Sequence, residues 1–131
     1  DKISEIFDQR SFSSVKAAGR AIDTIELHEN GKIALMTVDK ALKESADNTE
    51  GFVNFARNIR GTDVAVMIKY ADENVTRVSM RSKNTNVSEI AQSIGGGGHI
   101  RAAGATVYKN LDEAKEIVLN AIVEGMKKQN A

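Results

Sequence analysis

The 131-residue chain is 41% apolar but only 5% aromatic, with 18 Lys+Arg against 18 Asp+Glu, two His, no Trp and no Cys. Disulfides and thiolate metal sites are thereby excluded, the core has to be aliphatic, and zero net charge argues against a surface that tracks a long polyanion. No window approaches the roughly 18 apolar residues of a membrane span and no signal-peptide pattern opens the chain, so a cytoplasmic domain is expected, meeting any nucleic acid as a short piece at a local site.

Ile3, Ile6 and Phe7, then Phe12, Val15, Gly19 and Ile22, recur at helical spacing, which predicts two helices over residues 1–24. Because the chain starts at Asp1 inside such a pattern, a piece of a longer protein is expected, with this segment as its entry linker. Beyond it the period changes to two. Ile25, Leu27, Ile33 and Leu35 alternate on either side of Asn30-Gly31, the strongest short-range signal for a tight hairpin. Residues 39–48 are polar and predict a short helical turn. Asp47 and Glu50 stand at capping-box spacing ahead of Phe52, Phe55, Ala56 and Ile59, predicting a helix of about ten residues closed by Gly61.

Val64, Val66, Ile68 and Tyr70 predict a strand, and Val75–Ser82 returns from the turn at Asp72-Glu73-Asn74 as its hairpin partner. On the returning strand Val78 and Met80 share one face, while Arg77, Ser79 and Arg81 share the other. Asn86 and Glu89 cap a helix carrying Val87, Ile90, Ala91 and Ile94, with Gly95 as its stop. Ala105–Lys109 predicts a short strand, and Asn110 and Glu113 cap a last helix through Leu111, Val118, Ile122 and Met126. The fold class expected is α/β in the mixed, α+β sense: a mixed sheet of about five strands flanked by about five helices.

Three features carry candidate chemistry. The run Gly95-Gly96-Gly97-Gly98-His99 is costly to order, each glycine losing about 0.5–1 kcal/mol against Ala in a regular element. What it offers is backbone amides for an anion nest, followed by an imidazole, and it suggests a cradle for a phosphorylated ligand. It matches neither the Walker loop, since His99 stands where Lys is required, nor the dinucleotide fingerprint, whose sixth position falls on Ile100 or Arg101. Arg81-Ser82-Lys83 supplies a guanidinium fork, a hydroxyl and an ammonium at a strand end. Taken alone it is a solvated strand end, but only one helix separates it from the glycine run. Arg81 and His99 are therefore expected in one cleft, with the Gly95–Gly98 amides pointing into it and Gly97 at positive φ. Asn54, on the polar side of its helix, is a candidate reader of a base or sugar, and His28 is expected to be structural. With two His and no clustered carboxylates there is no metal site and no nucleophile–base pair. From chemistry alone this is a phosphate-binding module without a catalytic engine.

Val78-Ser79-Met80-Arg81-Ser82-Lys83, a capped helix, Gly95–His99 and then Ala102-Ala103-Gly104 resemble the DHH-associated C-terminal domain of the DHH phosphoesterases. The branch most alike contains the bacterial nano-RNases that also dephosphorylate 3′-phosphoadenosine 5′-phosphate, related to the RecJ exonucleases. Glu50-Gly51-Phe52-Val53-Asn54 and the strand pair 63–82 match as well. The likeness covers about residues 25–128, so a substrate-binding domain over 25–131 and a helical linker over 1–24 are expected. The resemblance implies substrate-binding roles for Arg81, Ser82, Gly95, Gly96, Gly97, Gly98, His99 and Asn54. It also implies a separate N-terminal catalytic domain holding two Mn²⁺ ions with an Asp-His-His motif, which this chain lacks. No catalytic residue and no metal is thus assigned to this chain itself. The partners implied are a short RNA or nucleotide and that catalytic domain, with no membrane; a homodimer is left open. Two other readings stay open: a stand-alone binding module for RNA or nucleotides, and an exopolyphosphatase-like substrate.

Overall fold

The computed structural model describes residues 11–46 and 48–131. The helix expected around Ile3, Ile6 and Phe7 and the expected cap Asp47 lie outside these residues. Five helices are described: Phe12–Asp23 (α1), Lys40–Glu44 (α2), Val53–Arg57 (α3), Val87–Ser93 (α4) and Leu111–Gln129 (α5). Strands Glu26–His28 (β1), Ile33–Val38 (β2), Val64–Asp72 (β3), Val75–Ser82 (β4), Gly97–His99 (β5) and Ala102–Val107 (β6) form one mixed sheet in the order β1-β2-β3-β4-β6-β5. β2 and β3 run parallel; the other neighbours are antiparallel. A parallel pair needs a crossover, and the segment bearing α2 and α3 provides it.

The sheet buries its two faces unequally. On one face α4 and α5 press Val87, Ile90, Ala114, Val118 and Ile122 onto Leu35, Val66, Ile68, Val78, Met80 and Ala103. On the other, α1, α2 and α3 seat Ala17, Ala21, Leu42, Phe52 and Ala56 on Ala34, Met36, Val38, Ala65 and Met67. Apart from Thr37, β2 and the first half of β3 are therefore apolar, as strands covered on both sides are. β4 alternates instead. Its residues on the second face are Arg77, Ser79 and Arg81, all exposed or partly exposed.

The mixed α/β class, the two hairpins and the asparagine caps agree with the sequence. Asn86 accepts from the Glu89 amide and Asn110 from the Glu113 amide. Four details differ. The sixth strand is the glycine run itself, and β6 starts at Ala102 and stops before Lys109. α3 is a single five-residue turn, because Phe52 at its start makes no side-chain cap and Gly61, at φ +88°, redirects the chain soon after. Phe55 is consequently exposed. The first hairpin closes through Glu29-Asn30-Gly31, all at positive φ, as a longer loop than two residues. In α1 the spacing is helical but the face is reversed: Ser14, Ala17, Ala18 and Ala21 are buried, whereas Phe12 is 77% and Val15 54% exposed. Small side chains let the helix axis approach the sheet closely, which the large ones would prevent.

Candidate functional site

The uncovered half of the second face is ordered by strand register. Arg81 pairs with Ala102 and Ala102 with His99, while Ala65 flanks Arg81 on the other side. Directly paired residues share a face, and neighbouring strands are about 4.8 Å apart. Arg81 and His99, 18 positions apart in the chain, thus stand about 10 Å apart on one face with only the Ala102 methyl between them. The next row reads Met67, Ser79, Gly104 and Gly97, and the third reads Lys69, Arg77 and Thr106. Small residues therefore floor the middle of the face, and cations stand at both ends.

The glycines do something different from the nest expected of them. The Gly95 amide donates to the Gln92 carbonyl at 3.2 Å and the Gly96 amide to the Ala91 carbonyl at 2.7 Å. With Gly95 at φ +88° this is a Schellman stop for α4, so both amides are spent on the helix. A Cβ on Gly96 would stand 2.0 Å from the Gly104 carbonyl oxygen; one on Gly98 would stand 2.7 Å from the Ala103 Cα, and one on Gly104 2.7 Å from the Val78 oxygen. These three glycines let β5, β6 and β4 lie in contact. Gly97, like Gly95, has nothing within 4 Å of such a Cβ. It has no positive φ either, contrary to expectation, and its one distinction is a bare position on the open face.

Ser82 belongs to the opposite face from Arg81, as strand alternation requires. It is buried, and its hydroxyl donates to the Thr85 carbonyl at 2.5 Å. Its place is in a clamp that joins the end of β4 to the turn between β5 and β6. The Ser82 amide donates to the Arg101 carbonyl at 3.1 Å, the Val87 amide to that of Ile100 at 2.9 Å, and Arg101 Nη1 to the Thr85 carbonyl at 2.9 Å. The clamp fixes His99 beside Arg81. Lys83 is not in the cleft: its ammonium donates to the Ile59 carbonyl at 3.0 Å. Asn54 lies partly buried on α3, a helix that packs against β4 as well as β2 and β3, and it is in none of these rows. His28 is held by Glu26 at 3.1 Å, and Glu26 in turn by Lys115 at 2.6 Å.

Asp63, which the sequence did not single out, organises this clamp from below. Its Oδ1 accepts from the amides of Lys83, Asn84 and Thr85 at 3.3, 2.8 and 3.2 Å, and its Oδ2 from the Thr85 hydroxyl at 2.6 Å. Burial alone would raise its pKa, but the Thr85 hydroxyl and these amides outweigh burial and hold it below the ordinary 3.8. A carboxyl depressed in the folded state stabilises the fold above its unfolded pKa, and that contribution is lost as pH falls through the folded value. Melting curves below about pH 4 should therefore show a stability loss that Asp63→Asn lacks. At neutral pH Asp63→Ala is expected to cost about 2–4 kcal/mol, since a hydrogen bond to a charged group contributes about 1.5–3.

Lys69 and Arg77 are the other residues the sequence left unused. Burial pushes the Lys69 ammonium below its ordinary pKa, and the nearby cations Lys43 and Arg77 push it the same way against Glu50. An open groove of about 560 Å³ adjoins them, lined also by Ser79, Gly96, Thr106 and Tyr108. Among the described residues no three His, Asp or Glu side chains stand close enough together to hold a metal ion, and no helix is long and apolar enough to cross a membrane.

The DHHA1 domain family model matches residues 30–124. The chain is similar to the bifunctional oligoribonuclease and PAP phosphatase NrnA of Thermus thermophilus, at 35% identity over 130 residues, covering 94% of this chain and 39% of that protein. The protein of the same name from Bacillus subtilis is 31% identical over 121 residues, covering 88% and 38%. Among solved structures, an exopolyphosphatase-related protein from Bacteroides fragilis superposes with a TM-score of 0.83 at 22% identity, over 95% of this chain and 39% of that one. A pGpG-specific phosphodiesterase from Vibrio cholerae gives 0.60 at 12% identity, over 86% and 40%. These two likenesses establish the fold alone. The chain spans about two fifths of the length of the relatives it matches.

Proposed function

Because this chain belongs to the DHHA1 domain family, we propose that it is the substrate-binding domain of a cytoplasmic DHH-family phosphoesterase acting on short oligoribonucleotides, on 3′-phosphoadenosine 5′-phosphate, or on both. The observation that carries this reading is the row Arg81–Ala102–His99 on an uncovered sheet face. A guanidinium fork and an imidazole at that separation grip one phosphate from two sides. The Ala102 methyl between them leaves the anion room to approach. Both donors sit on hydrogen-bonded strands, so little reorganisation accompanies binding, and their contribution is positioning and electrostatic stabilisation. Among the described residues no His, Asp or Glu cluster fits the two Mn²⁺ ions that the resemblance implies. The metals and the attacking water belong in this reading to a separate domain.

The test compares this chain with the intact protein that carries it, on two- to five-residue RNAs and on 3′-phosphoadenosine 5′-phosphate with Mn²⁺. The intact protein is expected to release mononucleotides or phosphate, and the chain alone nothing above buffer. Hydrolysis by the chain that survives repurification would overturn the division of labour. An intact protein that binds RNA without cutting it, or that shortens only polyphosphate, would overturn the substrate assignment.

A further inference from the structure

Arg77 lies four residues from Arg81 along β4, about 13 Å away on the same face. Separate phosphates of one strand can bridge that distance; one phosphate cannot. At this far end Lys69 and Arg77 are directly opposed in register. Like charges so placed destabilise a strand pair, and Lys43 adds to the repulsion on Lys69. Glu50 offsets it in part. The Lys69 ammonium donates to the Thr49 hydroxyl at 2.9 Å, and among the described residues no carboxylate is ion-paired with Lys69 or Arg77. The fold thus maintains a repulsive pair that an anion would relieve. The adjoining groove of about 560 Å³ is far larger than a lone phosphate needs and falls in the range of small-ligand sites. Tyr108, on its rim, is 75% exposed, and an exposed ring beside a cationic groove is the usual platform for an unpaired base.

We propose that this groove is a second nucleotide subsite, in which Lys69 and Arg77 hold a further phosphodiester of a single-stranded ribonucleotide while its base stacks on Tyr108. The proposal rests on reading Arg81 and His99 as the first subsite. The small residues Ser79, Gly104 and Gly97 form the passage between the two. Charge and stacking do not distinguish bases, so the subsite measures length and is indifferent to sequence.

The test is titration of this chain with adenosine 5′-monophosphate and with an adenylate trinucleotide, read by calorimetry or NMR. Wild-type protein is expected to bind the trinucleotide about 10- to 100-fold tighter than the monophosphate. Arg77→Gln and Tyr108→Leu should each bring that ratio within about threefold and leave monophosphate affinity unchanged. Arg77→Gln should also lower the salt slope of trinucleotide binding by about 0.7, one phosphate contact on a single strand. Folding is not at risk in that variant: with the opposed charges gone it should melt about 1–4 °C higher at low salt. If both variants bind the trinucleotide like wild type while Arg81→Ala does not, the second subsite is overturned and the first stands. If Arg81→Ala changes neither ligand, the underlying reading falls with it. Tripolyphosphate bound as tightly as the trinucleotide, and indifferently to Tyr108→Leu, would overturn the assignment to a nucleotide.

Discussion

Under the function proposed above, removing the Arg81 guanidinium from the intact protein is expected to lower kcat/KM on short RNA by about 10- to 100-fold, with the melting temperature unchanged. The magnitude is that of one charge-assisted hydrogen bond, about 1.5–3 kcal/mol, at ~1.4 kcal/mol per decade of rate. The fold should tolerate the loss because the one intramolecular bond described for this side chain is Nη1 to the neighbouring Met80 carbonyl, at 2.9 Å. His99→Ala should behave alike, since His99 is exposed on an edge strand. Arg81→Lys separates charge from geometry: an ammonium keeps the attraction but not the planar fork, so its activity should fall between Arg and Ala. Steady-state kinetics paired with thermal melts decide the matter. Full activity in both alanine variants, or loss only through unfolding, would show that neither group clamps substrate.

That Arg81 and His99 would share one sheet face was legible in the sequence, because parity along β4 and the single helix before the glycine run restrict where each can go. The same parity rule already places Ser82 opposite Arg81; motif adjacency concealed it. The asparagine caps were legible because a cap is local, its partner amide three residues away. The buried face of α1 was not, since periodicity gives the spacing of apolar residues but not which side meets the sheet. Nor was the strand in the glycine run, as glycine has little strand propensity and β5 exists only through close approach to β6. The opposition of Lys69 and Arg77 depends on a register that shifts between Tyr70 and Asp72, so counting back from the turn misplaces it. Asp63 serves a loop some 20 positions onward, a tertiary fact with no local signature.

The glycine run gives the sharpest contrast, because neighbours of one residue type should fail for different reasons. Gly96→Ala places a methyl 2.0 Å from the Gly104 oxygen and 2.7 Å from the Ala105 Cα. Both obstacles include backbone, so the clash is relieved only by parting β5 from β6. A loss of about 3–5 kcal/mol is expected, at the upper end for single substitutions, which lowers Tm by about 10–25 °C in a domain of this size. Gly97→Ala meets nothing within 4 Å and has no positive φ to strain. It should melt within a few degrees of wild type, with reduced freedom in the unfolded chain working in its favour. Gly97→Val should also stay folded, yet its branched side chain would rise from the passage between Arg81 and Arg77. RNA binding and turnover are therefore expected to fall at least as far as in Arg81→Ala. Melting curves and trinucleotide titrations on the three variants separate the two mechanisms. A Gly96→Ala protein that melts normally, or a Gly97→Val protein that binds RNA undiminished, would mean that these glycines neither join the strands nor keep the face clear.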